Sequence, residues 1–251
     1  MKVVAIVQAR LGSTRLPAKV LLDLQGKTAL ERCLSRVARV QGVDEVVVAT
    51  TDTPVDDVLV RVCERLGFRV TRGSQDDVLS RYQVAAQASG ADVIMRCTSD
   101  CPLLDPGESG AVLAQFLARF SQGSVDYASN VLERRVPRGL DTEVVSRDAL
   151  ERAHREATDP ALREHVTLPI VRRPDVFRCL STEPRHPTLR GADQSHQRWT
   201  LDTLEDYHFL ASVYDLLGDR AADADVRDVL DILEAHPTLT QINAGIAQKV
   251  V

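Results

Sequence analysis

The sequence lacks the features that mark several large classes of protein. None of its apolar runs is long enough to cross a bilayer. The formal net charge of -5 argues against general binding to nucleic acid or to anionic membranes. Five cysteines form no disulfide framework, and their odd number favours reduced thiols in a cytoplasmic protein. The N-terminal apolar run is also too short for a signal peptide, so we expect a cytoplasmic globular protein.

Common catalytic and phosphate-binding signatures are missing as well. The sequence contains no Gly-x-x-x-x-Gly-Lys-Ser/Thr pattern and no three-glycine dinucleotide fingerprint. It contains no nucleophile elbow and no Cys–His catalytic arrangement. Cys97 and Cys101 could begin a zinc site, but no second Cys/His pair stands at ligand spacing. Internal repeats and low-complexity tracts are absent too, so any function must come from a less common set of residues.

The first half of the chain alternates buried strands with helices. Apolar runs typical of parallel strands lie at 3–7, 44–50, 68–71 and 91–97. Helical patterns lie at 27–40, 53–66, 76–88 and 105–120. Strict alternation of this kind predicts right-handed βαβ units and a parallel α/β sheet. At the start of the second helix, Thr53 is the predicted N-cap and Asp56 its capping-box partner.

The second half of the chain is less regular. Strands are predicted at 125–129, 140–145, 176–181 and 199–201, and helices at 146–157, 163–171, 203–217 and 226–235. Residues 183–197 read as a loop because they contain two prolines and few large apolar side chains. The length of 251 residues suits one large α/β domain, 1–251, with an insertion at about 124–197.

A basic loop directly follows the first predicted strand. It carries three cations, two hydroxyls and a glycine: Arg10, Arg15, Lys19, Ser13, Thr14 and Gly12. In an open α/β sheet this position is the usual ligand crevice, and guanidinium and ammonium groups suit the oxygens of a polyphosphate. The glycine permits close backbone approach and a positive φ. A solvated basic turn is the alternative; position, charge and glycine together favour a phosphate site.

Two aspartates are candidates for a divalent cation. Asp100 follows the fourth strand, and Asp202 stands between the predicted strand at 199–201 and a helix. Carboxyl ends of parallel strands share one sheet edge, so both side chains are expected to converge near the basic loop. The alternatives are a turn aspartate for Asp100 and a helix cap for Asp202. Thr203 and Asp206 already supply that cap, which leaves Asp202 free to bind metal.

Three further segments carry polar residues with less defined roles. Residues 72–82 form a polar helix start after a glycine turn, and their spacing alone does not indicate a base- or ribose-binding role. His165, within a charged cluster at 163–167, is equally compatible with packing. The segment 137–143 offers side chains that either contact a polar acceptor or lie on the surface: Arg138, Asp141 and Glu143.

Five motifs together resemble one enzyme family. Residues 9–19 (Ala-Arg-Leu-Gly-Ser-Thr-Arg-Leu-Pro-Ala-Lys) resemble the opening motif of sugar-acid cytidylyltransferases, which include the 3-deoxy-manno-octulosonate and acylneuraminate types. The spore-coat polysaccharide biosynthesis branch is the closer match. It is similar to this sequence also at 96–103, 137–143, 163–167 and 200–207. The resemblance spans roughly residues 3–210.

The resemblance implies a fold and a set of ligands. The fold is the Rossmann-like nucleotide-diphospho-sugar transferase fold, a mostly parallel sheet with a dimerisation insertion. Asp100 and Asp202 would bind Mg²⁺, and Arg138, Asp141 and Glu143 the acceptor. The catalytic residues would be Arg10, Arg15, Lys19, Asp100 and Asp202. Binding of a CTP-type nucleotide would fall to Ala9, Arg10, Gly12, Ser13, Arg15, Lys19, Ser74, Asp77 and Thr98.

The activity implied by the resemblance is Mg²⁺-dependent transfer of CMP from CTP to a sugar acid with release of pyrophosphate, in surface polysaccharide or glycoconjugate biosynthesis. Cys101-Pro102 departs from the octulosonate enzymes, which carry an acidic residue before the proline, so the acceptor sugar stays open. A glycosyltransferase of the same broad fold and a non-catalytic sugar-nucleotide-binding protein are the alternatives. We expect a homodimer with no nucleic-acid or membrane partner.

Overall fold

The first half of the chain forms four strands with a helix after each, as the alternating pattern predicts. A computed structural model describes residues 1–247. The elements in chain order are β1 (Val3–Gln8), α1 (Ala29–Val37), β2 (Glu45–Thr51), α2 (Asp57–Arg65), β3 (Arg69–Gly73), α3 (Val78–Ser89), β4 (Val93–Thr98) and α4 (Pro106–Phe120). Thr28, Asp77 and Asp105 accept capping hydrogen bonds at α1, α3 and α4, so these helix starts are encoded locally.

The second half adds shorter elements. They are β5 (Tyr127–Ser129), β6 (Glu143–Ser146), α5 (Arg147–Glu156), α6 (Pro160–Glu164), α7 (Leu168–Val171), β7 (Cys179–Ser181), α8 (Pro187–Gly191), α9 (Leu204–Leu217) and α10 (Val226–Ala235). Single 3₁₀ turns lie at Lys19–Leu21, Pro54–Asp56, Gly218–Ala222 and Pro237–Gln241. Within residues 1–247, no helix has the length and apolar character that crossing a membrane requires.

All seven strands belong to one sheet with the order β3-β2-β1-β4-β6-β5-β7. Neighbours pair in parallel except that β6 runs antiparallel to both β4 and β5. The predicted mostly parallel α/β sheet is therefore confirmed. Gln8 pairs with Thr98 of β4, so β1 and β4 end level, whereas β2 continues two residues beyond Ala49, the partner of Gln8. Their common carboxyl edge is where a ligand crevice is expected.

The strands of the stretch 124–197 extend this central sheet. Sequence periodicity gave them no evident place in the parallel half, yet β6 pairs with β4 and carries β5 and β7 beyond it. The antiparallel β6 explains the difference, because one reversed strand lets short, irregular segments join a sheet without full βαβ crossovers.

Three local predictions in the second half are wrong. Residues 199–201 form no strand, because their backbone bonds go to a turn at Arg138 and to the Asp100 carbonyl. The helix predicted at 163–171 is interrupted at 165–167. A proline inside a helix is the usual cause of such a break, but Pro169 sits in the first turn of α7, where a missing N–H is tolerated. The predicted loop 183–197 contains α8, whose N-cap is His186.

The start of α2 also differs from prediction. Thr53 makes no side-chain capping bond, and its hydroxyl instead lies 2.6 Å from the Thr51 hydroxyl. The 3₁₀ turn Pro54–Asp56 precedes the helix, so Asp56 becomes the residue before α2 and not its third residue. The Asp56 carboxylate is 1% exposed and turns inward, where one oxygen accepts the Leu11 N–H at 2.8 Å.

The core lies in two layers, one on each face of the sheet, plus a third cluster under α9 and α10. Trp199 and Leu201 are fully buried in this third cluster. Full burial of such a side chain contributes about 1.5–3 kcal/mol, so these two residues fix the extended segment that leads to Asp202. The sheet edge and this segment together position the site.

Candidate active site

A cavity of about 270 Å³ opens at the carboxyl ends of β1 and β4. Its walls include every predicted residue of the basic loop, namely Ala9, Arg10, Gly12, Ser13, Thr14, Arg15 and Lys19. Thr98, Asp100 and Asp202 also line it. The loop therefore borders a concave site at the expected sheet edge, and the alternative of an isolated solvated turn is not the arrangement seen.

The backbone of the basic loop bends at an unexpected residue. Gly12 does not have a positive φ, although the sequence pattern suggested it for that purpose. Ala18 has it instead, with φ 54° and ψ 23°, directly before Lys19. A left-handed conformation at alanine costs of order 1 kcal/mol, and the loop carries this strain beside a functional side chain.

Lys19 lies between the two aspartates. Its Nζ is 2.8 Å from Asp100 Oδ2 and 2.7 Å from Asp202 Oδ1. Arg15 adds a second cation, with a guanidinium nitrogen 3.0 Å from the same Asp202 oxygen. Asp100 and Asp202 thus converge as predicted, and in this structure the ammonium of Lys19 and the guanidinium of Arg15 neutralise the charge of their carboxylates.

Mutual neutralisation explains the titration behaviour of these groups. Burial alone would lower the pKa of Lys19, but the Asp100 and Asp202 carboxylates outweigh it and raise that pKa above its ordinary value. Burial alone would raise the pKa of Asp100, but the Lys19 ammonium and its hydrogen bonds hold that pKa below its ordinary value. Both groups therefore stay charged at neutral pH.

Asp202 reaches the sheet edge without following a strand of the sheet. The Leu201 N–H donates to the Asp100 carbonyl at 2.8 Å, and the Thr200 hydroxyl donates to the same oxygen at 3.2 Å. Thr203 and Asp206 form the capping box of α9, as predicted. The Asp202 side chain is therefore not needed as a helix cap and faces the cations of the site.

The donor set suits Mg²⁺. Two carboxylate oxygens from separate segments converge on one point, which Lys19 Nζ marks. Mg²⁺ typically takes one or two carboxylates and completes its shell with water and phosphate oxygens. Across residues 1–247 no group of three or more His, Cys, Asp or Glu side chains is placed to hold a metal. Burial raises the pKa of Cys97 to about 12, and it also raises the pKa of Cys101, so both thiols are protonated at neutral pH in the metal-free protein.

Arg96 and Glu143 form a buried ion pair at the cavity floor. The Arg96 side chain lines the cavity, whereas Glu143 lies behind it and accepts hydrogen bonds from Arg96, Tyr127 and Thr167. Burial would lower the pKa of Arg96, but Glu143 raises it. The Glu143 carboxylate, predicted as an acceptor contact, is thus engaged by three donors and does not line the cavity.

The other predicted contacts also lie outside the cavity lining. Asp141 forms a bidentate pair with Arg134 at 2.7 and 2.6 Å, and Arg138 flanks that pair. Asp77 caps α3 and pairs with Arg163 at 2.8 Å. The Ser74 hydroxyl accepts the Asp77 N–H, so this segment is bound within its own turn.

Sequence reasoning assigned no ligand-binding role to several cavity residues, although most of them lie in segments that it singled out: Gln8, Val78, Arg81, Arg96, Glu164 and His165. Strand periodicity could have assigned Arg96 to the site, because it lies two residues before Thr98 and so faces the same side of β4. Arg81 lies in the polar segment 72–82, where spacing alone did not indicate a role. Its guanidinium donates to the carbonyls of Ser74 and Gln75 at 2.5 and 2.9 Å, which ties their turn to the cavity wall.

Two known proteins resemble this chain over nearly its whole length, and a third resembles less than half of it. It is 35% identical to an uncharacterised protein of Methanocaldococcus jannaschii over 252 residues, covering 99% of this chain and 97% of the other. It is 38% identical to the spore coat polysaccharide biosynthesis protein SpsF of Bacillus subtilis over 237 residues, covering 92% and 94%. A 3-deoxy-manno-octulosonate cytidylyltransferase of Geobacter sulfurreducens is 38% identical over 108 residues, 42% of each chain.

Solved structures show the same relationship. A cytidylyltransferase from Leptospira borgpetersenii superposes with a TM-score of 0.88 at 31% identity, covering 100% of this chain and 99% of the other. A CMP:2-keto-3-deoxy-manno-octonic acid synthetase complexed with CTP shares the fold, with a TM-score of 0.59 at 20% identity over 86% and 98% of the two chains. The sequence profile described as cytidylyltransferase matches residues 4–227. The protein described here is therefore a member of the cytidylyltransferase family.

Proposed function

We propose that the protein transfers CMP from CTP to a sugar acid and releases pyrophosphate, with Mg²⁺ as cofactor. The observation that carries this proposal is the meeting of a three-cation loop and two carboxylates at one cavity on the sheet edge. The named relatives support the choice of substrates, since one is called an octulosonate cytidylyltransferase and one acts in polysaccharide biosynthesis by name. Five free cysteines support a cytoplasmic location.

In the proposed reaction the acceptor hydroxyl attacks the α-phosphorus in line. The new bond forms as the bond to the β-phosphate oxygen breaks, and the acceptor proton leaves to solvent or a nearby base. Arg10, Arg15 and Lys19 bind phosphate oxygens and neutralise charge on the departing pyrophosphate. Most of the rate acceleration then comes from positioning and electrostatics.

Asp100 and Asp202 would hold the Mg²⁺. When bound, the ion supplies Lewis-acid polarisation of the α-phosphate. Because Lys19 Nζ occupies the point between the two carboxylates, we propose that Lys19 moves to the triphosphate as the ion binds. The Lys19 ammonium would then neutralise phosphate charge, and the ion would balance the two carboxylates in its place.

The predicted acceptor and base contacts also remain proposals. Burial and the neighbouring Arg134 cation lower the pKa of Arg138, so an acceptor carboxylate near Arg138 would stabilise its charge. Asp141 and Glu143 would act by holding Arg134 and Arg96 in place. Ser74 and Asp77 would border the base through the turn that Arg81 binds.

Two alternatives make different demands on the site. A glycosyltransferase of the same broad fold would start from a finished nucleotide sugar, and a non-catalytic protein would bind a sugar nucleotide without turnover. Three cations in one loop favour a triphosphate over a diphosphate. Incubation of the protein with each of the four NTPs, Mg²⁺ and a panel of sugar acids separates all three. Pyrophosphate released only with CTP and an acid acceptor supports the proposal.

We expect CTP to bind more tightly than a purine nucleotide. Calorimetric titration of the protein with all four NTPs in the presence of Mg²⁺ measures this directly. Tighter binding of ATP or GTP would remove the cytidylyl donor from the proposal while leaving the phosphate site and the fold unaffected.

A further inference from the structure

We propose that Asp56 is a positioning residue, which sets the shape of the triphosphate-binding loop by holding the peptide of Leu11. This proposal rests on the proposed function for its consequence on CTP, although the anchoring itself does not. Asp56 lies outside the cavity lining and outside every motif that suggested the family. It is contributed by the turn before α2, a different element from the loop that it holds.

The loop is organised around Leu11. The Leu11 N–H donates to Asp56 Oδ1 at 2.8 Å. The Leu11 carbonyl accepts two further N–H groups, from Ser13 at 2.8 Å and from Ala18 at 3.1 Å. The backbone of one residue, Leu11, thus joins the beginning of the loop to its end, and the carboxylate holds that residue through its N–H.

Both ends of this connection carry residues of the site. Leu11 lies between Arg10 and Gly12, and Ala18 directly precedes Lys19. A displaced Leu11 carbonyl would release the Ala18 N–H and with it the left-handed backbone that aims Lys19 at the two carboxylates. Loss of one buried contact therefore affects cations on both sides of the loop.

Asp56 is placed as a support and not as a surface charge. Its carboxylate is 1% exposed, and the second oxygen accepts a hydrogen bond from the Thr51 hydroxyl at the end of β2. Among the residues that the structure describes, no Lys, Arg or His forms an ion pair with it. A buried carboxyl group is costly unless it is hydrogen-bonded, so its hydrogen bonds to Leu11 and Thr51 must stabilise it there.

The adjacent Asp57 provides a matched control. It is nearly half exposed and pairs with Arg72 at 2.7 Å on the other side of the same turn. We would compare Asp56→Ala, Asp56→Asn and Asp57→Ala by calorimetry with CTP and CMP in Mg²⁺. Hydrogen exchange of the Leu11, Ser13 and Ala18 amides would be followed in the nucleotide-free proteins.

We expect Asp56→Ala to weaken CTP binding roughly tenfold to hundredfold and CMP binding much less, because the lost contact is a charge-assisted hydrogen bond behind the β- and γ-phosphate cations. Asp56→Asn keeps an acceptor for the Leu11 N–H, so it should stay within about threefold of the parent chain. Asp57→Ala should match the parent. Exchange of the three amides should accelerate in Asp56→Ala alone.

Two results would overturn the proposal. One is a folded Asp56→Ala protein with parental CTP affinity and parental amide exchange. The other is a Leu11 amide that already exchanges freely in the parent protein, a measurement that holds even where Asp56→Ala does not fold. If the parent binds none of the NTPs, the proposed function fails, and the exchange data still decide whether Asp56 anchors the loop.

Discussion

Lys19 has two carboxylate partners in this structure and, under the proposed reaction, a triphosphate to bind. The sequence predicted each of the three charged residues as functional, from their positions after strands and from a family motif. It did not predict that the ammonium would stand between the carboxylates, because that contact joins residues 81 and 183 positions apart. Local sequence patterns carry no information on contacts between residues so far apart in the chain.

Substitution of Asp100 or Asp202 by asparagine should lower kcat/KM roughly hundredfold or more, because each removes a charge that the proposed metal site needs. The losses should be far from additive in the double variant, since both affect the same ion. Steady-state rates across a Mg²⁺ series measure this, with the exposed Asp215→Asn as control. Full activity of Asp202→Asn with an unchanged Mg²⁺ requirement would contradict the shared site.

Lys19→Met should change how stability depends on pH. In the parent, the Asp100 pKa lies below its unfolded value, so its contribution is present above about pH 4 and is lost as the pH falls through the folded pKa. Without the Lys19 ammonium, burial raises the pKa of Asp100 above its unfolded value. The charged carboxylate then destabilises the fold at neutral pH, and its protonation at lower pH removes this destabilisation.

Urea unfolding at pH 7 and pH 5 distinguishes the two cases for Lys19→Met. In the parent, Asp100 should contribute little to any difference in the free energy of unfolding between pH 7 and pH 5. The variant should be more stable at pH 5 than at pH 7. Arg39→Met is a suitable control because, among residues 1–247, Arg39 forms an ion pair with the exposed Asp223 and with no carboxylate of the site. Parallel pH profiles for parent and Lys19→Met would contradict the assigned cause.

Among the elements, those with local signals were predicted best. The four strand–helix pairs of the first half follow from apolar periodicity and from side-chain caps at the helix starts. The failures depend on distant partners. Residues 199–201 resemble a strand, but their hydrogen bonds go to Arg138 and Asp100. Asp56 resembles a capping residue, but its partner is in the opening loop.

Gly139 is the point at which the 198–202 segment meets the rest of the chain. Its φ is +111°, and a Cβ there would lie 2.5 Å from the carbonyl oxygen of the buried Trp199. Gly139→Ala should therefore destabilise the protein by about 2 kcal/mol or more and displace Asp202. Thermal unfolding and CTP titration test both effects.

Gly191→Ala is the control for this substitution. Gly191 has no atom within 4 Å of its would-be Cβ and ends a short surface helix. It should keep the parental stability and affinity. Equal behaviour of the two alanine variants would show that the contact between Gly139 and Trp199 does not position the site.

For the whole molecule we expect a homodimer, built largely from residues 124–197. This stretch corresponds to the dimerisation insertion that the family resemblance implies, and it supplies β7, the last strand of the sheet. An edge strand has backbone groups available for a partner. Light scattering of the purified protein at micromolar concentration tests this, and a monomer under those conditions would contradict it.

The hydrogen bond from Leu201 to Asp100 also bears on the order in which the chain is synthesised and the site is formed. During translation Asp100 is synthesised about one hundred residues before Asp202. For that time the growing chain contains one of the two carboxylates and lacks the 198–202 segment, so the cavity is incomplete. Domains generally fold as units, and contacts this distant form late. A nucleotide that needs both aspartates therefore cannot bind the incomplete chain and cannot assist its folding. It binds only the folded protein, and at one hundred times its Kd it raises the free energy of unfolding by about 2.7 kcal/mol.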